Sequence, residues 1–234
     1  IPGDQATLRG LEFVVFTLNP AGDTVRVPSE GVASIRVEAD SEPLSQPGGT
    51  AATAYRMVSF PGELDDPRLS NVFSSLAPYD PAEWRLFTAG GSEDDYEEQS
   101  DLGASVSPGG GLWFIRRSSG TLASIEAISI RTDRPFEMPL EEGWNLIGNP
   151  FAFDVPLSQV RVENTAGSLQ DVFGYNGSFV NQAGGALEPY RGYLVRLSGG
   201  QAGTLVIDPS PEKPSATTSL ARAPDPRWAV DLSA

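Results

Sequence analysis

The stretch Trp144-Asn145-Leu146-Ile147-Gly148-Asn149-Pro150 decides the fold once it is set beside Tyr55-Arg56-Met57-Val58-Ser59-Phe60-Pro61, 89 positions earlier. Each is an aromatic-led apolar strand stopped by proline, which has no N–H to give to a ladder. Working outward, the parallel holds in order. Trp84-Arg85-Leu86-Phe87 matches Asp171-Val172-Phe173-Gly174-Tyr175 at an offset of about 88. Tyr96-Glu97-Glu98-Gln99 matches Phe179-Val180-Asn181-Gln182 at 83, and Gly111-Leu112-Trp113-Phe114-Ile115 matches Gly192-Tyr193-Leu194-Val195 at 81. Gly120-Thr121-Leu122 matches Gly203-Thr204-Leu205 at 83. Collinear matches that drift only at turns are the mark of an internal repeat.

Each copy reads strand, short helix, hairpin, strand, strand. In the first, Asp66 is placed to cap and Pro67 sits in the first turn. Leu69, Val72, Phe73 and Leu76 then follow at helical spacing. In the second, Asp154, Pro156, Leu157 and Val160 give a shorter version. Asn176-Gly177 is a type I′ hairpin turn. Short strands with frequent Gly and Pro predict an all-β fold: a duplicated β-sandwich or barrel-like module with one short helix per repeat. The copies run from 54 to 130 and from 131 to 208. Residues 1–40 are a strand segment. LEFVVFTL (11–18), TVRV (24–27) and VASIRVEA (32–39) read as strands, and Asn19–Asp23 as a turn. Residues 41–53 have the Ser, Pro and Gly content of a linker, and 209–234 form a Pro-rich tail. Trp228-Ala229-Val230-Asp231-Leu232, within it, reads as the start of a further strand.

The segment Glu142-Gly143-Trp144-Asn145-Leu146-Ile147-Gly148-Asn149-Pro150-Phe151 resembles the tandem "GWNLIGNP" β-modules of large secreted and cell-surface bacterial proteins. The aromatic hairpin Val172–Val180 and the strand Gly192-Tyr193-Leu194-Val195 complete that pattern, with Tyr55–Pro61 and Gly111–Phe114 as the degenerate copy. Such modules often follow immunoglobulin-like repeats and precede a type IX sorting domain. The resemblance therefore implies that residues 1–40 are the end of an immunoglobulin-like domain. It implies a chain secreted from, or displayed on, a Gram-negative bacterium, whose partners are other domains or subunits there. It carries over no catalytic residue, and this chain contains no sorting domain.

Composition narrows the chemistry. Gly (25) and Pro (20) make up about a fifth of the 234 residues, against roughly 12% in average proteins, and both break helix interiors. With no histidine and no cysteine, the Ser-His-Asp triad, cysteine nucleophiles, disulfides and Cys/His zinc sites are excluded. The single lysine, Lys213, lies among prolines, which is no place for a desolvated catalytic amine. A net charge of −15 repels nucleic acid and anionic membrane. No apolar run approaches the roughly 18 residues of a membrane span. Ile1-Pro2-Gly3-Asp4-Gln5 lacks the basic start and apolar stretch of a signal peptide, so the chain reads as cytosolic, as secreted with its signal removed, or as an excised piece.

Two groups of residues are candidates for binding. The acidic run holds Glu93, Asp94, Asp95, Glu97, Glu98 and Asp101 at the hairpin tip of the first copy. Its oxygens suit calcium, the only ion or cofactor the sequence brings forward, although the spacing matches no EF-hand and such runs are commonly solvated surface. The aromatics Tyr55, Trp84, Trp113, Trp144, Tyr175 and Tyr193 would serve as a sugar-stacking platform. Their recurrence on apolar strands favours core packing, with Trp144 and Tyr55 anchoring the two cores and Tyr79 and Tyr190 as the better glycan contacts. Glu97/Glu98 and Glu141/Glu142 are sequence neighbours, which point to opposite faces of a strand and make poor acid–base pairs. The expectation is a non-catalytic structural or interaction module, with a polysaccharide- or calcium-binding module as the alternative.

Overall fold

The computed structural model describes residues 7–89 and 95–209. It is 47% strand and 7% helix, so the chain is an all-β protein. The tail from 210 onward, with its predicted strand at Trp228, lies outside the described residues, as do Glu93 and Asp94.

Six short strands come first: β1 (Leu11–Phe13), β2 (Val15–Leu18), β3 (Thr24–Val27), β4 (Ala33–Ile35), β5 (Glu38–Asp40) and β6 (Leu44–Gln46). The run 11–18 predicted one strand but forms two, because β1 pairs with β4 while β2 folds into a hairpin with β3. The run 32–39 is divided likewise between β4 and β5. The 41–53 stretch is not a free connection. Its β6 pairs with a later strand (Gly120–Leu122), and Gln46 is buried with its amide donating to the Ala54 and Phe114 carbonyls.

The first half continues with β7 (Arg56–Ser59), β8 (Glu63–Leu64), α1 (Leu69–Val72), β9 (Trp84–Ala89), β10 (Tyr96–Glu98), β11 (Gly111–Arg116), β12 (Gly120–Leu122) and β13 (Glu126–Ile128). The second half has β14 (Phe136–Leu140), β15 (Gly143–Gly148), β16 (Val155–Pro156), β17 (Val160–Glu163), β18 (Ser168–Tyr175), β19 (Phe179–Asn181), β20 (Ala186–Leu187), β21 (Gly192–Ser198) and β22 (Gly203–Ile207). Two four-stranded antiparallel sheets dominate, ordered β10-β9-β11-β7 and β19-β18-β21-β15. Position for position, the strands matched in the sequence occupy the same places in the two sheets. The pairing adjusts one register: Leu86 and Phe87 sit where Val172 and Phe173 sit, an offset of 86.

Residues directly opposite across an antiparallel pair share a face, which sorts the side chains. Val58, Trp84, Leu86, Leu112 and Phe114 face one way and meet Leu69, Val72 and Phe73 from α1 and its exit. Asp66 does not cap α1 at its N-cap position, which is Arg68; its carboxylate accepts the Arg68 N–H instead. Ile147, Val172, Tyr193, Val195 and Leu197 meet Leu140, Leu205 and Ile207 from the sheet β14-β22-β17. The helix predicted in the second half is a single 3₁₀ turn, Leu157–Gln159. The cores are centred on Phe73 and Phe114 in one half and on Phe151 and Tyr193 in the other. Each such side chain gains roughly 1.5–3 kcal/mol from burial. Tyr55 and Trp144, expected as the anchors, are only half-buried and lie on the opposite sheet faces. They alternate with the core-facing residues, so the pleat itself turns them away.

Those opposite faces meet each other through Met57, Leu146 and Leu194. The contact is reciprocal. Ser59 N–H donates to the Tyr190 carbonyl at 3.2 Å, and its matched residue Gly148 donates to the Gly109 carbonyl at 2.7 Å. Isolated bridges join Val58 to Arg191 and Gly110 to Ile147. An added Cβ at Gly192 would meet Met57 and Val58, and one at Gly111 would meet Leu146 and Ile147. This is the exchange of partners that a two-fold arrangement produces.

Candidate functional site

The two facing sheets splay apart on one side. There Tyr55, Phe87, Tyr96, Trp113, Tyr175 and Phe179, with Ala52, line an open cleft of about 330 Å³. Register explains the gathering. Trp113 lies opposite Phe87, and Phe87 opposite Glu98, so Tyr96, two residues before Glu98, shares their face. On the second sheet Tyr175 lies opposite Phe179. Tyr96 and Phe179 are matched residues, each opening the return strand of its hairpin, and they are 38% and 55% exposed. The Asn176-Gly177 turn thus carries Phe179 to the cleft.

Trp113 is the hub. Its ring stands 80° from Tyr55 at 6.2 Å between centroids, 89° from Tyr96 at 6.3 Å, 76° from Tyr175 at 5.1 Å and 88° from Phe179 at 6.2 Å. The Trp113 indole N–H is buried with no acceptor. The Tyr175 hydroxyl donates to the Ala52 carbonyl at 3.0 Å and so ties the wall of one half to the other. Behind Tyr175 lies a more polar cavity of about 290 Å³, lined in part by Gln46, whose buried Oε1 also has no hydrogen bond.

The aromatics singled out in the sequence divide between two places. Trp84 and Tyr193 are core residues, 4% and 2% exposed. Tyr55, Trp113 and Tyr175 line the cleft. Trp144 packs on Phe173 under the Arg196 guanidinium, 5.8 Å from its ring. Tyr79 and Tyr190, expected at the surface, are partly buried. Tyr79 stacks edge-on against Trp84, and the Tyr190 hydroxyl accepts the Glu42 N–H at 2.8 Å. Sequence reasoning missed Phe87, Tyr96 and Phe179 as site residues. The available signal was their alternation on the same face as Trp113 and Tyr175.

Of the acidic run, Asp95, Glu97, Glu98 and Asp101 are described. Among the described residues no group of three or more acidic side chains is arranged to hold a metal ion. Asp101 accepts the Gly103 N–H, closing its own turn. Asp95 and Glu97 are exposed. Glu98 is committed to Arg85, whose Nε and Nη2 donate to its two oxygens at 2.8 and 2.6 Å, and it also accepts the Tyr79 hydroxyl. Those charge-assisted bonds from Arg85, aided by Tyr79, hold the Glu98 carboxyl down at about 2. Burial, then the bond to Glu98, pushes Tyr79 up to about 12. Arg85 also lies over the Phe87 ring, 4.9 Å from its centroid. The trio is a strut beside the cleft.

The strut sets a pH dependence. The folded protein releases the Glu98 proton near pH 2 and the unfolded chain near 4.5, so the stabilisation is complete above 4.5 and is lost as pH falls toward 2. Both partners are partly exposed, so the contribution is about 1 kcal/mol. Urea melts of the native protein and Glu98→Gln should differ by that amount near about pH 6 and converge near about pH 2.5. A gap of equal size at both values would assign the effect to packing instead.

No helix among the described residues is long and apolar enough to cross a membrane. No family model, no curated protein and no solved structure matches the chain.

Proposed function

We propose that the chain is a non-catalytic interaction module of a secreted or cell-surface bacterial protein, built from a duplicated β-module and preceded by the end of an immunoglobulin-like domain. The distribution of exposed apolar side chains carries this reading. Among the described residues ten large hydrophobics are exposed, most of them on the N-terminal strands. Seven lie between Phe13 and Ile35; of the others, Tyr96 and Phe179 line the cleft, and Val180 follows Phe179 on the other face of its strand. The β2–β3 hairpin exposes apolar groups on both faces, Phe16 at 55% and Leu18 at 73% among them. A paired hairpin without a core of its own is marginal in water, and concentrated apolar surface marks contact sites. The equal strand orders and reciprocal contacts of the two large sheets support the duplication. The Trp-Asn-Leu-Ile motif supports the surface location.

Two measurements test it. Native mass spectrometry on protein isolated undigested from its source should find a heavier covalent chain or a stable complex, in which amides of β2 and β3 exchange more slowly than in the isolated 234-residue chain. A free 24.9 kDa polypeptide with a fully exchanging hairpin would overturn the proposal. Phe16→Lys with Leu18→Lys should leave the melting of the two large sheets within roughly 0.5 kcal/mol of the native protein and abolish the association. Loss of both together would mean that the hairpin is structural.

The polysaccharide-binding alternative draws on the same cleft, since aromatic rings stack on sugars. A sugar platform presents rings side by side in one plane. Here four rings stand upright around Trp113, which favours a compact ligand over an extended chain.

A further inference from the structure

We propose that the cleft around Trp113 is an aromatic cage for a quaternary ammonium group. This goes beyond the interaction module above and stands without it. Three observations point the same way.

The first is geometry. Trp113 has Tyr55, Tyr96, Tyr175 and Phe179 around it at 76° to 89°. Rings at right angles form the sides of a box, and a cation inside a box meets several negative π-faces at once. The lining is aromatic apart from Ala52 and contains no charged side chain. Such a site suits an ion that is cationic yet coated with methyl groups and needs no hydrogen bond. It does not suit an ammonium, whose donors would go unpaired.

The second is charge. Asp95 and Glu97, exposed on either side of Tyr96, belong to an acidic run in a chain of net charge −15. The nearby guanidinium of Arg85 is neutralised by Glu98 and already rests on the Phe87 ring. The negative field around this hairpin therefore favours a cation over an anion.

The third is the cost of Trp113 itself. Its buried N–H has no acceptor, which costs folding the desolvation of that group. The matched position in the second sheet is Leu194, which packs in the same cluster without a polar atom to satisfy. A leucine would serve packing alone, so the indole is kept for its ring.

The test is calorimetric titration of the full chain with choline and tetramethylammonium, beside 3,3-dimethylbutanol, the uncharged isostere of choline. Both cations should bind, and the neutral isostere should bind at least about fivefold more weakly. Phe179→Ala, at a position 55% exposed, should weaken choline by a similar factor. Trp113→Leu should abolish binding while thermal stability is kept or raised. Equal binding of the isostere would make the cleft a plain apolar groove. Absence of binding by both cations, or binding of cellohexaose in their place, would overturn the proposal outright. With binding in hand, phosphatidylcholine vesicles and a trimethyllysine peptide separate a lipid headgroup from a modified protein as the source of the group.

Discussion

Gly148→Ala will cost the protein at least about 3 kcal/mol, at the upper end of what overpacking does in a core. A Cβ on Gly148 would stand 2.2 Å from the Ser59 Cβ and 2.9 Å from the Gly110 carbonyl oxygen. Those atoms belong to two different backbone segments, and neither can yield alone. The Gly148 N–H donates to Gly109 in the reciprocal contact between the halves. The Ser59 hydroxyl holds the Arg191 carbonyl. Relieving the clash by pulling the sheets apart would therefore break hydrogen bonds at both ends of the contact. Ser59→Gly in the same chain removes the nearest obstacle but not the Gly110 oxygen, so it should restore part of the loss. A double-mutant cycle read by urea denaturation gives the coupling, expected to be at least about 1 kcal/mol for residues in direct contact. Additive effects would mean that the halves are not pressed together at this point.

Much of this architecture can be read from the chain, and what escapes has a physical reason. Alternation identified the strands, and the motifs matched in the sequence lie on strands that take corresponding places in the two four-stranded sheets. The 24–27 strand and its Asn19–Asp23 turn are as read, the turn closed by the Asn19 side chain accepting the Ala21 and Asp23 N–H groups. The split of residues 11–18 is invisible in composition, because β1 and β2 differ only in which strand each one finds. The cleft was hidden for a related reason. The strands Arg56–Ser59 and Gly143–Gly148, each last in its sheet, are nonetheless covered on both faces, so their sequences do not mark which side meets the core. Aromatics on the two sides then look alike, and Trp84 cannot be told from Trp113. Glycine at Gly111, Gly148 and Gly192 was the usable signal, since glycine inside a strand pattern marks a close backbone approach. In the acidic run a count of carboxylates does not show their partners: Arg85, two residues before Phe87, claims Glu98.

Asn149→Leu should be as damaging as the glycine change, by a different route. Asn149 is completely buried. Its amide donates to the Phe153 and Leu187 carbonyls, both at 2.7 Å, and its oxygen accepts the Phe151 N–H at 2.9 Å. The chain leaves β15 at this point and crosses the end of the second core as irregular backbone, where ladder partners are missing. One side chain supplies them. In the matched place of the first half stands Phe60, 3% exposed in an apolar cluster, where no such duty exists. Leucine keeps the approximate volume of asparagine and strands three buried backbone groups at about 1–3 kcal/mol each, so a loss of at least about 4 kcal/mol is expected. Asn149→Asp should fare no better near neutral pH, since a carboxylate cannot donate to two carbonyls. Asn145→Ala is the control. That side chain closes the Glu141–Gly143 turn at the surface with comparable bonds, but water can replace them, and about 1 kcal/mol should be lost. Urea denaturation gives the totals. Hydrogen exchange gives the place: in Asn149→Leu the amides of Phe151, Val155 and Leu187 should open first, with the first half still protected. A loss below about 1 kcal/mol would mean that water reaches these carbonyls and that the asparagine holds nothing the solvent could not.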